Sequence, residues 1–354
     1  MYRLRNGWKF LTESRVDFAG RPLSDNPAVV CVGETMALLT PRSAGALDYA
    51  QDLTLTFGGA ESNVAMYLAG HGANARWVSR LGDDALGHMI LRQVASSGVD
   101  ASGVILDSSG PTGVYIREVT TSGRRVHYYR NGSPASRLGP DALSLAQVAT
   151  ADVLHLTGIT PALSDSCRAM VEAAVLHRSE NDPVVTFDVN WRPSLWKQEP
   201  ADLLLRLAQA AHGVFVGADE AAALWGCSDA AQIRALISEP AFLVVKDGGR
   251  GATVFRDGER VFVPSCEVNV VDVVGAGDAF AAGFIAGILR GLNLTEQAEL
   301  GHRTAAAALR FIGDHGPHTT EAADAAATTQ LRMGRTPSAA LPSAHTNLAL
   351  DEQG

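Results

Sequence analysis

Between residues 270 and 289 an apolar run gives way at Asp272 to Gly275-Ala276-Gly277-Asp278, and an apolar stripe follows at Phe280, Ala281, Phe284, Ile285 and Ile288. The pattern reads as strand, tight glycine loop and helix. Backbone amides at such a helix start are unpaired and the helix dipole favours negative charge there, so the loop can hold a phosphate. Charge of that kind grows on the group moved in phosphoryl transfer. Asp278 adds a carboxylate beside the cradle, suited to take a proton from an attacking hydroxyl. A plain helix cap with two turn glycines uses the same residue types, so this loop alone leaves both readings open.

Two further segments carry polar chemistry. In Gly58-Gly59-Ala60-Glu61-Ser62-Asn63, paired glycines let a ligand approach the backbone, and Asn63 offers a donor and an acceptor to a polyol. In Val244-Val245-Lys246-Asp247-Gly248-Gly249-Arg250-Gly251, a strand runs into a glycine turn, with Lys246 as a local counter-charge for an anion. Such a charge is needed locally, because the 354-residue chain carries a formal net charge of -9.

Positioning these groups falls to short apolar runs at 28–32, 75–79, 153–156, 184–187, 214–216 and 242–245, which alternate with helical segments at 62–70, 85–97, 167–177 and 201–211. Alternation of this kind predicts a largely parallel sheet flanked by helices, with right-handed crossovers. The stretches 36–57 and 113–130 break the rhythm. Val114, Ile116, Glu118 and residues 126–129 have strand-like composition around a Ser122-Gly123 turn, so antiparallel strands outside the main sheet are expected. Residues 1–27 and 321–354 lack a clear period and read as appendages of uncertain order, leaving a domain at 28–320.

Composition removes several classes. With 46% hydrophobic residues, the chain can bury a large core. The acidic balance argues against a nucleic-acid partner. No apolar run approaches the length of a membrane helix and the first thirty residues scatter charges, so the expected location is the cytoplasm. Cys31, Cys167, Cys227 and Cys266 stand far apart; neither a zinc site nor a disulfide framework is suggested, and each is expected to be a small buried residue. A dinucleotide-dependent oxidoreductase is excluded because Cys31-Val32-Gly33-Glu34 follows the first strand where a G-x-G-x-x-G would be needed.

Asp272-Val273-Val274-Gly275-Ala276-Gly277-Asp278 resembles the D-T-x-G-A-G-D signature of the ribokinase-like (PfkB) carbohydrate kinases, and residues 58–65 resemble that family's G-G-x-x-x-N-x-A segment. Gly82-Asp83-Asp84-Ala85-Leu86-Gly87 is similar to its G-x-D-x-x-G. The resemblance covers roughly residues 28–320. It implies a doubly wound α/β fold whose small β lid, from 36–57 and 113–130, closes over a sugar. It further implies ATP and Mg2+ as requirements, Asp278 as general base, and Gly275, Ala276 and Gly277 as the anion hole. ATP contacts would come from Lys246, Gly248, Gly251, Gly275 and Gly277, and a water-mediated metal contact from Glu220. Whether a monovalent cation takes part stays open, and exposed lid edges lead us to expect a homo-oligomer.

Within that family the chain looks most like the branch acting on the sugar acid 2-keto-3-deoxygluconate. Tyr115, Tyr128, Arg130 and Arg192 look like its substrate contacts, beside Gly58, Gly59, Asn63 and Asp278, and Gly313-Asp314-His315-Gly316 is similar to the same branch. Arginine suits a carboxylate, which it grips with two parallel hydrogen bonds. The implied reaction is phosphorylation of the primary hydroxyl to a 6-phosphate; a neutral sugar (ribose, fructose or inositol-derived) and a non-catalytic sugar-acid sensor are the alternatives. Two positions depart from the family pattern. Gly217 stands where the asparagine of N-x-x-E is expected, and Val273 where the threonine of D-T-x-G-A-G-D is expected.

Overall fold

The computed structural model describes residues 23–42, 47–120, 123–196 and 198–311. Their thirteen strands form two sheets. In chain order the strands are β1 (Ala28–Val32), β2 (Met36–Pro41), β3 (Leu53–Gly58), β4 (Asn74–Gly82), β5 (Asp100–Asp107), β6 (Val114–Thr120), β7 (Gly123–Tyr129), β8 (Val153–Thr157), β9 (Val184–Asp188), β10 (Gly213–Gly217), β11 (Phe242–Lys246), β12 (Gly251–Arg256) and β13 (Glu259–Pro264). The α-helices are α1 (Ala60–Gly70), α2 (Ala85–Ser96), α3 (Ala146–Ala149), α4 (Asp165–Leu176), α5 (Ala201–Ala210), α6 (Ala218–Trp225), α7 (Ala230–Leu236), α8 (Ala276–Leu289) and α9 (Leu294–Ala308).

Nine strands lie in the order β13-β12-β11-β10-β9-β8-β1-β4-β5. From β11 to β5 every pairing is parallel, while β12 and β13 extend the far edge as antiparallel strands. The central strands β1, β8, β9 and β10 are buried along their whole length, as expected of strands covered on both faces. Alternate residues of β1 serve opposite cores. Val29 and Cys31 join the cluster containing Trp77 and Phe284, and Val30 and Val32 join the one containing Phe187 and Met170, following the two-residue period of a strand.

The chain winds from β1 to β4 and β5 on one side, then returns to β8 and proceeds the other way. The boundary between β1 and β8 is thus the topological switch point, where doubly wound sheets hold their ligands beyond the carboxyl ends of the strands. Residues ending four parallel strands or following them, Glu34, Asp188, Gly217 and Lys246, all line one cavity there.

The second sheet has the order β3-β2-β6-β7 and is built from the two stretches that broke the βα rhythm. It pairs β2 with β3 and β6 with β7 antiparallel, and β2 with β6 parallel. Of the sequence expectations, Gly313-Asp314-His315-Gly316, Ser122 and both chain ends outside 23–311 lie outside the described residues. Cys31, Cys167 and Cys227 are buried free thiols; Cys266 is the correction, being half-buried at the wall of a second cavity.

Candidate active site

Gly275 explains why the loop needs glycine: it takes φ 78° as the N-cap of α8, a conformation that costs an L side chain strain. The turn delivers the amides of 275–277 to the helix start and puts Asp278 in the first turn. Gly275, Gly277 and Asp278 line a cavity of about 510 Å3, together with Gly58, Gly59, Tyr115, Tyr128, Arg130, Arg192, Glu220, Lys246 and Gly248, while Ala276 lines its neighbour. Nearly every residue singled out for sugar binding therefore surrounds one space.

A second cavity of about 490 Å3 adjoins it, walled by Val268, Val270, Phe280, Ala305 and Leu309, with Gly251 and Cys266 at its edge. Lys246, Gly248, Val273 and Gly277 line both cavities. An apolar chamber thus meets a polar chamber at the glycine loop, and Lys246 Nζ lies close to Gly277, 3.5 Å from where a Cβ on that glycine would stand. Such a junction suits a chain of phosphates passing from a flat base on one side to a hydroxyl on the other.

Asn63 is arranged differently from the sequence expectation. It is buried in α1 and stands behind the cavity wall, where its Nδ2 donates a 2.9 Å hydrogen bond to Asp278 Oδ2. Its Oδ1 is buried with no hydrogen-bond partner among the described residues, an acceptor still to be satisfied. Gly59 is also glycine for another reason than ligand approach: a Cβ there would lie 2.3 Å from the carbonyl oxygen of Glu34 and 2.6 Å from Thr35 Oγ1. The backbone beyond β1 occupies the space. Glu61 braces this corner. Burial raises its pKa, against hydrogen bonds that its Oε1 accepts from Thr157 at 2.7 Å and Thr160 at 2.8 Å, so it ties the start of α1 to the end of β8.

Each cation lining the polar chamber has an acidic neighbour. Lys246 Nζ donates to both oxygens of Asp188, at 2.9 and 2.7 Å. Burial alone would pull the Lys246 pKa down; Asp188 and Glu220 outweigh it, and the group is held above its usual range as a cation. Arg130 pairs with Glu34, whose other oxygen accepts from Ser133 Oγ. Arg117, on β6 beside Tyr115, pairs with Asp272 at the head of the glycine loop. Arg192 is the loosest, 53% exposed and 3.9 Å from Glu220. Sequence reasoning missed Asp188, Glu34 and Arg117; their partners lie 58, 96 and 155 positions away, and nothing local marks them.

Glu220 sits in the first turn of α6 and accepts from the backbone N–H of Gly217 at 2.8 Å and of Trp191 at 2.9 Å. Burial raises its pKa while Lys246 lowers it. The Trp191 bond follows Asn190, which takes φ 36°, a left-handed conformation that asparagine tolerates better than most residues. Among the described residues no three His, Cys, Asp or Glu side chains cluster as a metal site. The carboxylates of Asp219 and Glu220 line the cavity, a donor chemistry that suits Mg2+, which keeps most of its waters and takes one or two carboxylates alongside phosphate oxygens.

A doubly wound sheet, a β lid over its switch point, and two chambers joined at a glycine-loop helix start are the arrangement that the sequence resemblance leads one to expect. Comparison with known proteins agrees. The pfkB family carbohydrate kinase profile matches residues 26–320. The chain is 33% identical to 2-dehydro-3-deoxygluconokinase of Thermoproteus tenax, covering 86% of this chain and 95% of that protein. It is 34% identical to the enzyme of the same name from Bacillus subtilis, covering 80% and 90%. The crystal structure of a PfkB protein from a Polaromonas species superposes with a TM-score of 0.74 at 31% identity, covering 81% of this chain and 97% of that one. The protein belongs to the pfkB family of carbohydrate kinases. No helix among the described residues is long and apolar enough to cross a membrane.

Proposed function

We propose that this kinase transfers the γ-phosphoryl group of ATP to the primary hydroxyl of 2-keto-3-deoxygluconate, giving the 6-phosphate. The observation that carries the reading is the shared cavity that Gly275, Gly277 and Asp278 line together with Tyr115, Tyr128, Arg130 and Arg192, with room for one sugar acid. The two relatives of that name support the substrate class.

Asp278 accepts the proton of the attacking hydroxyl. The new bond forms between that oxygen and the γ-phosphorus as the bond to ADP breaks, and the amides of Gly275, Ala276 and Gly277 meet the charge on the equatorial oxygens. Asn63 holds the carboxylate of Asp278 in place through Nδ2, and Lys246, kept cationic by Asp188, faces the phosphates where the chambers join. Glu220 would reach Mg2+ through water, and the ion would neutralise charge on the bridging phosphates. Gly248 and Gly251 border the base and phosphates from the β11–β12 turn. Arg192, more exposed than Arg130, meets the substrate carboxylate, and the stacked rings of Tyr115 and Tyr128, 6.0 Å between centroids, cover the sugar.

The test is coupled ADP release from ATP and Mg2+ with 2-keto-3-deoxygluconate, its galactonate epimer, ribose, fructose and a blank. Turnover confined to the keto-deoxy acids supports the reading. Turnover on ribose or fructose keeps the kinase and removes the carboxylate role of the arginines, and silence with every sugar would favour a sensor on the same fold.

A further inference from the structure

The leading aspartate of the glycine-loop signature has no role in the chemistry above, and the lid strand β6 carries a charged residue aimed into the protein. The structure joins the two. Arg117 and Asp272, 155 positions apart, form an ion pair with side chains only 3% and 6% exposed. Arg117 belongs to the lid; Asp272 opens the loop that forms the anion hole.

A buried ion pair is weak evidence for stability, because desolvation of both charges offsets most of their attraction, and apolar residues of equal volume hold a fold as well. Its distinguishing property is directional geometry. On the lid side, Arg117 lies two residues from Tyr115 on β6, and both line the polar chamber with Val126 and Tyr128, their partners across β7. On the loop side, Asp272 Oδ1 accepts from the amide of Val274 at 3.3 Å, one residue before Gly275 takes its left-handed turn. The backbone N–H of Asp272 reaches the carbonyl of Leu309 at 3.3 Å, which anchors the other end of the same turn. One carboxylate therefore touches both the lid and the entry to the 275–277 amides.

We propose that Arg117 and Asp272 are a positioning pair that sets the anion hole according to the seating of the lid over the sugar. This rests on the phosphoryl-transfer role assigned to the 275–277 amides, and holds for whichever sugar the enzyme accepts. Arg117 acts through Asp272 and the Val274 amide, and its contribution lies in the transfer step.

Three variants, Arg117→Met, Asp272→Asn and the double, test the link together with Arg117→Lys as the conservative rescue. The assay is coupled ADP release, with and without the best sugar of the panel, beside melting temperature and ATP affinity. Misplacing a reacting group by about 1 Å costs about 10²-fold. The expected result is kcat lowered about 10- to 100-fold in each single variant, with KM for sugar and ATP changed less than about threefold. The double variant should be no slower than the worse single one, since one chain of contacts is broken in either case. The share of ATP hydrolysed without sugar should rise, and Arg117→Lys should recover part of kcat. Undiminished kcat in Arg117→Met, or losses that multiply in the double variant, would overturn the link. Amide hydrogen exchange over residues 272–277 gives a reading independent of any substrate. It should accelerate about tenfold or more in Arg117→Met while β8 to β11 keep their protection, and an unchanged loop would overturn the proposal even if the wild type proved inactive with every sugar.

Discussion

Replacing Asp278 by asparagine separates the two things this residue can be. Its Oδ2 accepts from Asn63 Nδ2 at 2.9 Å, and it lies in the first turn of α8. An amide of the same shape keeps an oxygen for Asn63 and removes only charge and basicity. A residue serving the helix alone would lose the interaction of one carboxylate with the helix N-terminus, about 0.3–1 kcal/mol, and the melting temperature would shift by at most about 2–4 °C. Loss of a general base instead costs about 10² to 10⁴ in kcat. At about 1.36 kcal/mol per decade this is about 2.7–5.4 kcal/mol. The two costs fall on different observables and do not overlap in size. Coupled ADP release should therefore give kcat at least about 100-fold below the wild type, with KM for ATP within about threefold, at a nearly unchanged melting temperature. A variant that keeps more than about a tenth of the wild-type kcat refutes the base assignment. A slow variant whose melting temperature collapses would return Asp278 to a structural role.

Lys246→Met should leave Asp188 as an uncompensated buried carboxylate, which costs about 3–5 kcal/mol; adding Asp188→Asn should restore the urea midpoint without restoring affinity for ATP, and recovery of both would sink the phosphate role of Lys246. Gly59→Ala should destabilise by about 1–3 kcal/mol through overpacking against the Glu34 backbone, read as a lowered melting temperature; a neutral effect would show that the corner beyond β1 yields freely. His71 supplies a pH prediction. Its Nε2 lies 2.8 Å from Thr304 Oγ1, whose hydroxyl donates to Leu300, so the neutral ring with its proton on Nε2 is favoured. Burial, then Arg290 and Arg303, push its pKa down to about 4. The folded value lies below that of an unfolded histidine, about 6.5, so its contribution is full above pH 6.5 and is lost as pH falls through about 4, a change of about 3 kcal/mol. His71→Gln should flatten the urea midpoint between pH 7 and 4 relative to the wild type, and an identical slope would remove His71 from the account.

Much of this arrangement was legible in the residues because its signals are local. Glycine at 275 and 277 between two apolar segments announced a loop and a helix start, and the apolar β1, β8, β9, β10 and β11 announced a parallel sheet. The break in rhythm at 36–57 and 113–130 marked the lid, where Tyr115, Arg117, Val126 and Tyr128 share one face by strand alternation. Most of what escaped was long-range or ambiguous in period. One omission was local: β12 and β13 form a hairpin around Asp257, at φ 51°, and Gly258, and Asp-Gly between two runs of β-branched and aromatic residues signals that turn in the sequence. α9 is alanine-rich, with buried polar groups at Gln297, His302 and Thr304, which blurs its apolar stripe. The reasons behind Gly59 and Asn63 were out of reach because each depends on a neighbour brought in by the fold, Glu34 for one and Asp278 for the other.

The pairing of the cavity cations changes how the proposed selectivity for an acid must be understood. On sequence alone, two arginines near a sugar suggest a pair of free positive charges waiting for a carboxylate. In the structure Arg130 is already bound by Glu34, Arg117 by Asp272 and Lys246 by Asp188, all within the protein. A substrate carboxylate entering this space meets charges whose fields are largely cancelled, so the attraction at a distance is small and the discrimination lies in hydrogen-bond geometry at contact. Arg192 differs: its side chain is about half exposed and 3.9 Å from its acid, and apart from one bond from Nη1 to the Trp191 carbonyl at 3.3 Å it has more freedom to turn than Arg130. In the proposed reading Glu34 therefore fixes the orientation of Arg130, while Arg192 supplies the charge. On that reading an acidic protein, with a net charge of -9, receives its anions through contacts close at hand: the amide dipoles of the glycine loop and the loosely paired Arg192.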